Sequence, residues 1–288
     1  MISTFSVQPR HENRFPFQEI EASSLLAGPN PAHRLSRRLN AFSPISLTEM
    51  ERASLMKRAD TKFLLNVEAL HEILIGLQGT YRILQHQGAR LQDYQTVYFD
   101  TPDFRFYHDH HRGAADRYKV RSRKYISSHT CFLEVKHKTC HGDTIKHRMN
   151  TRQLVTDASE LDMVFLRKMC PAATDHLVPT LQSRFQRVTL VNLAACERIT
   201  IDQGLTFLQN GKNISLPGIA IVEVKQPRRT RETAFWHHLK ELSIHPTSFS
   251  KYCTGMITTR PWIKQNNFKP LMLRLMRISQ GEHYEFVL

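Results

Sequence analysis

Asp116-Arg117-Tyr118-Lys119-Val120-Arg121-Ser122-Arg123-Lys124-Tyr125 is the stretch that decides the fold of this chain. Side chains alternate along a strand, so Arg117, Lys119, Arg121 and Arg123 project from one face as a row of four cations. The same alternation recurs on both sides of it. Phe132-Leu133-Glu134-Val135-Lys136-His137-Lys138 sets Glu134, Lys136 and Lys138 against Leu133 and Val135, and the next run aligns Thr144, Lys146 and Arg148. Arg198, Thr200 and Asp202 oppose Ile199 and Ile201; Glu223 and Lys225 oppose Val222 and Val224; Arg58, Asp60 and Lys62 share a face. Six strands carry one code: charge on one side, apolar groups on the other.

A half-exposed antiparallel sheet often shows a charged face to water. Such a face tends to mix signs, because like charges placed opposite each other destabilise a sheet. Here cations dominate, a pattern that suits a polyanion lying between them. A closed barrel with the charged face inward and helices over the apolar face makes a basic tunnel fit for chained phosphates. The predicted fold is therefore α+β, a closed antiparallel β-barrel of about eight strands with helices packed outside.

The composition supports this reading. The chain has 288 residues, 41% of them hydrophobic, and a formal net charge of +14. A core can form, and the partner is expected to be anionic. No stretch reaches the roughly 18 apolar residues of a membrane helix, and the N-terminus lacks an export pattern; the expectation is a soluble, cytoplasmic protein. Five scattered cysteines without CxxC spacing suit a reducing compartment.

Residues 1–44, broken by Pro9, Pro16, Pro29, Pro31 and Pro44, read as a poorly ordered N-terminal arm. Residues 45–260 read as the tunnel domain and 261–288 as a C-terminal extension, which either packs on the barrel or binds a partner. Strands are predicted at 57–65, 80–87, 92–100, 115–125, 130–138, 143–151, 180–192, 194–202 and 218–226. Helices are predicted at 66–78, 157–169 and 230–242, with a last one starting at Ser250. Asp100 before Thr101-Pro102 reads as a turn residue that caps a strand. The cluster His108-Asp109-His110-His111 reads as a solvated polar loop.

Arg58-Ala-Asp60-Thr-Lys62, Tyr98-Phe99-Asp100-Thr101-Pro102-Asp103, Arg121-Ser-Arg123-Lys-Tyr125, Leu133-Glu134-Val-Lys136, Lys146-His-Arg148, Arg198-Ile-Thr-Ile-Asp202, Val222-Glu223-Val-Lys225 and Phe249-Ser250-Lys251-Tyr252 occur in this order. Over roughly residues 50–258 the set resembles the polyphosphate polymerase domain of the vacuolar transporter chaperone (VTC) family, within the triphosphate tunnel metalloenzyme superfamily. The resemblance implies transfer of the terminal phosphate of ATP to a growing polyphosphate chain, with Mn²⁺ or Mg²⁺ as cofactor. It implies catalytic roles for Lys62, Arg121, Arg123, Lys136 and Glu223. Lys146, Arg148, Arg187, Arg198, Lys225 and Lys251 join Lys62, Arg121, Arg123 and Lys136 as substrate-holding cations, and Glu223 is the implied metal ligand. Arg184 is the rival of Arg187.

ATP and polyphosphate are thus the implied partners, with no specific nucleic acid. Where the superfamily has Glu-x-Glu-x-Lys on its first strand, this chain has Arg58-x-Asp60-x-Lys62, which disfavours a metal-rich hydrolytic site. Two alternatives stay open: a triphosphatase of the same fold, and a non-enzymatic basic module that binds nucleic acid or polyphosphate.

Overall fold

Alternation of apolar and charged residues dictates strands, and short amphipathic runs between them dictate helices. The computed structural model describes residues 31–52, 58–171, 176–209 and 211–279. In chain order the elements are α1 (Pro31–Asn40), β1 (Ser43–Ile45), α2 (Leu47–Arg52), β2 (Ala59–Asn66), α3 (Val67–Gly76), β3 (Arg82–Leu84), β4 (Gln92–Asp100), α4 (Arg105–His111), β5 (Arg117–Tyr125), β6 (Thr130–Lys138), β7 (Thr144–Thr151), α5 (Met163–Met169), β8 (Val178–Asn192), β9 (Glu197–Gln209), β10 (Lys212–Leu216), β11 (Ile219–Gln226), α6 (Ala234–Glu241), α7 (Lys251–Thr259) and α8 (Lys269–Ile278). Asn66 caps α3 by accepting from Ala69 N, and Ser250 caps α7 by accepting from Cys253 N.

Eight strands follow one another in the order β2-β11-β9-β8-β4-β5-β6-β7, every neighbour antiparallel. The expected closure is not made: among the described residues β2 and β7 form no ladder with each other, so the sheet is open along that seam. The chain ahead of α7 explains part of this. Thr247 N donates to Lys62 O at 2.8 Å, taking a backbone acceptor of β2 that a neighbouring strand could otherwise use. The sheet still wraps around its charged face, because Lys62 of β2 reaches Phe249 O at 2.9 Å while Lys119 of β5 reaches Ser250 Oγ at 3.1 Å.

The apolar face lies outward under helices. Phe63, Val188, Leu190, Ile199, Ile201, Val222 and Val224 pack with α1, α3 and α6. Phe63 sits edge-on to Phe235 and Trp236, with centroids 6.1 and 5.1 Å away. Val97, Phe99, Val120, Leu133 and Val135 pack with Phe106 of α4 and Leu166 of α5. A third cluster lies on the charged side of the sheet, where Leu64, Leu181, Phe185, Leu205, Phe207 and Ile221 meet Tyr252, Met256 and Ile257 of α7. This helix fills one end of the wrapped sheet.

Two expectations from sequence need correction. Up to residue 30 the predicted arm lies outside the described residues, but 31–44 is not an arm. It forms α1 and β1, with Leu35 and Leu39 buried, because Pro31 opens the helix where no N–H is needed and Pro44 lies in a short side strand. The His108–His111 cluster is not a loop but the last turn of α4, with Asp109 and His111 buried. At the other end, α8 packs Met272 and Leu275 into the cluster around α7.

Gly255 lets α7 lie flat on β8 and β9. A Cβ there would overlap Leu181 Cδ2 and come within 2.6 Å of Phe207 Cδ1. Gly255→Ala is expected to cost about 1–3 kcal/mol by overpacking, measurable as a lower midpoint in urea without change in slope.

Candidate functional site

Strand register brings the predicted cations onto one face. Lys119 opposes Lys136, which opposes Lys146; Arg121 opposes Glu134, which opposes Arg148. On the other arm Lys225 opposes Asp60 and Arg198, Glu223 opposes Lys62 and Thr200, and Asp202 opposes Arg187. Arg184 opposes Gln95, on the far side of the sheet from Arg187, which removes it as the rival. Lys251 joins the array from the first turn of α7.

Four carboxylates punctuate this array, each tied to cations. Glu134, 1% exposed, accepts from Arg121 at 2.7 Å and pairs with Lys146. Asp202, 4% exposed, accepts from Arg187 Nε at 2.5 Å and Nη2 at 2.7 Å, and pairs with Lys251. Glu223 pairs with Lys225 and lies 3.9 Å from Lys62. Asp60 pairs with Arg58 at 3.0 Å and with Lys225 at 3.6 Å. Burial opposes ionisation of Glu223, yet Lys225 and Lys62 hold its carboxyl down to about 2. Glu134 and Asp202 also stay well below the usual carboxylate range against burial, through Arg121 and Arg123 for the first and Arg187 and Lys251 for the second.

Cations on this face without a carboxylate ion pair among the described residues include Lys119, Arg123, Lys136, Arg148 and Arg198. Aromatic rings compensate at one end. Arg123 and Arg187 each lie over both Tyr94 and Phe185, at 5.2–5.7 Å, and these two rings stack at 5.1 Å. Lys251 lies 4.3 Å over Phe185, and Arg148 lies 5.0 Å over Phe132. Lys119 has no such ring among the described residues. Burial, then the charges of Lys62, Lys136 and Arg121, push its ammonium down to about 7, although Cys253 opposes them. Burial, with Arg187 and Arg123 against Asp202, leaves Lys251 at about 8.

An anion filling the face would favour the charged form of both lysines. Its affinity is therefore full below about pH 7 and falls as these ammonium groups lose protons above it. Tripolyphosphate binding followed by calorimetry should weaken by about tenfold per unit of pH for each group that has to regain a proton.

Asp100 has a structural role: it accepts from Thr101 N, Phe106 N, Tyr107 N and Tyr252 OH, joining β4 to α4 and α7. Lys119 and Asp202 belong to the array without having been singled out for a role, although the alternation already placed them on the charged face. Tyr94 and Phe185 carry no such signal.

No curated protein matches the chain. Among solved structures, a candidate adenylate cyclase from Bacillus halodurans aligns at 14% identity and TM-score 0.43, covering 68% of this chain and 96% of its own. A candidate adenylyl cyclase from Hippeastrum, described as having a dominant triphosphatase activity, aligns at 14% identity and TM-score 0.46, covering 69% of this chain and 95% of its own. The model of the VTC domain matches residues 57–260, from the edge of β2 to the end of α7. That span includes every strand of the eight-strand path, and the chain belongs to the VTC domain family.

Proposed function

We propose that this chain is a polyphosphate polymerase that moves the γ-phosphoryl group of ATP onto the end of a phosphate chain held on its wrapped basic face. The carrying observation is the excess of cations over carboxylates, with Lys119, Arg123, Lys136 and Arg198 lacking a carboxylate partner among the described residues. Phosphoryl transfer is governed by positioning and by neutralising the equatorial oxygens. Arg121 and Arg123 offer planar forks, and Lys62, Lys136 and Lys146 act as point charges along the chain. The attacking terminal phosphate oxygen is already ionised at neutral pH, so no general base is needed.

Glu223 is the proposed metal ligand. It shares the Lys225 ammonium with Asp60, its diagonal neighbour across β2 and β11, so two hard carboxylates face one cation position. Among the described residues no cluster of three metal-binding side chains forms. This fits a Mn²⁺ or Mg²⁺ whose other ligands are phosphate oxygens and water. Such an ion, when bound, supplies charge neutralisation between adjacent phosphates. Glu223→Gln is expected to lower turnover at least about tenfold, or about 1.4 kcal/mol, and to raise the metal concentration needed for half activity.

The decisive experiment incubates the protein with ATP and Mn²⁺ and resolves the products by gel. Ladders of polyphosphate with matching ADP support the proposal; orthophosphate without polymer supports the triphosphatase reading instead. Arg58, standing where the superfamily has the first glutamate of Glu-x-Glu-x-Lys, favours polymer, since it replaces a carboxylate that a second metal would need.

A further inference from the structure

A row of aromatic rings stands on the charged face of the sheet, at the end marked by the turn between β5 and β6. Register places Phe185 of β8 against Tyr94 of β4, and Tyr94 against Tyr125 of β5. Phe132 of β6 opposes Arg123, one step diagonal to Tyr125. The rings touch in sequence: Phe185 and Tyr94 stack at 5.1 Å, Tyr94 and Tyr125 lie tilted at 4.8 Å, and Tyr125 meets Phe132 edge-on at 5.6 Å. Arg123 and Arg187 lie over the Phe185–Tyr94 half of the row, and Arg148 lies over Phe132. Among the described residues no cation lies over Tyr125.

The two halves of the row sit differently in the protein. Phe185 is buried and, with Tyr94, packs into the apolar cluster around α7. Tyr125 and Phe132 are only half-buried and belong to none of the apolar clusters formed by the described residues, although both are large rings on a face otherwise built from charge. The apolar packing of β5 and β6 is made on their other side, through Val120, Leu133 and Val135. Directly opposite Phe132 on β7 stands Asn150, exposed, whose amide makes no hydrogen bond among the described residues.

Aromatic rings interleaved with arginines are a platform on which nucleobases stack, since every base presents a π-face. An amide beside them offers a donor and an acceptor together, the pair that the edge of adenine takes. Inward from Phe132 the same two strands carry Arg123, then Arg121 with Glu134, then Lys119 with Lys136. At the rise of a strand Phe132 and Lys136 stand about 13 Å apart, a span that an extended nucleoside triphosphate bridges from base to γ-phosphate. We infer that Tyr125, Phe132 and Asn150 form the base-recognition end of the site: the two rings stack on the adenine of ATP, the amide bonds its edge, and the γ-phosphate is directed toward Lys119 and Lys136. This rests on the ATP-dependent reading above and adds the polarity with which the nucleotide lies on the basic face.

The test compares ATP with tripolyphosphate by titration calorimetry on the full chain, since the two share their phosphates and differ in the nucleoside. Phe132→Leu and Tyr125→Leu keep apolar bulk and remove the ring. Each is expected to weaken ATP binding about tenfold, the loss of one stacking partner, and to leave tripolyphosphate within about twofold of wild type. Asn150→Ala should weaken ATP about fivefold, the loss of a hydrogen-bonding side chain, and likewise spare tripolyphosphate. Should the ring variants fail to fold, NMR of the wild type reads the same contact, as Overhauser effects from tyrosine and phenylalanine ring protons to H2 and H8 of bound adenine. Absence of those effects, or folded variants that lose ATP and tripolyphosphate alike or lose neither, overturns the base site alone. If wild type binds neither ligand, the phosphate-chain reading falls with it.

Discussion

Asp202→Asn is expected to lower the thermal midpoint by about 6–12 °C, the equivalent of roughly 3 kcal/mol in a chain of this size. Asp202 is almost fully buried and answers two cations, Arg187 through both forks and Lys251 through its ammonium. The amide keeps the shape but removes the charge, leaving two cations facing each other. Removing one partner of a buried charged set costs more than the set contributes, because the remaining charges stay desolvated. Tripolyphosphate should restore more stability to the variant than to the wild type, since it can supply the missing negative charge. Differential scanning calorimetry with and without tripolyphosphate measures both quantities. A variant as stable as wild type would argue that Asp202 is not the counter-charge of Arg187 and Lys251.

Arg123→Ala is expected to weaken ATP and tripolyphosphate binding by about 10- to 100-fold, corresponding to about 1.5–3 kcal/mol for a charged hydrogen-bonding group. Folding should change far less. Arg123 has no carboxylate ion pair among the described residues; its guanidinium rests over Tyr94 and Phe185 and donates to Thr96 Oγ1 at 3.3 Å. Its removal therefore strands no buried anion. Arg123→Lys should recover only part of the affinity, because an ammonium cannot reproduce the planar fork or its stacking on the rings. Titration calorimetry of the three proteins distinguishes a lost fork from a lost charge. Arg121→Ala should behave differently: it also leaves buried Glu134 with Lys146 as its sole ion-pair partner among the described residues, so its cost should appear in stability as well.

Much of this architecture was legible in the residues. Period-two alternation located β2, β4 to β9 and β11, since one face had to be apolar and the other charged. It also put Lys62, Arg121, Arg123, Lys136 and Glu223 on charged strand faces that the register joins, whereas Arg187 came from the resemblance alone. Closure was not legible. It depends on how strands at opposite ends of the sheet meet, and the segment ending at Thr247 bonds β2 through Lys62 O, a long-range contact without local pattern.

The missed strands β1 and β10 have three and five residues, too few for an alternation to stand out. α4 was hidden because its polar His108-Asp109-His110-His111 run looks like a loop, while Asp100, outside the helix, supplies the acceptors for its first N–H groups.

The seam between β2 and β7 bears on how a polymer is loaded. A sealed cylinder admits only a free tip, which must be fed through. On the proposed reading, with β2 and β7 unjoined among the described residues, a strand of phosphates blocked at both extremities would settle in from the flank, past the stretch that ends at Thr247.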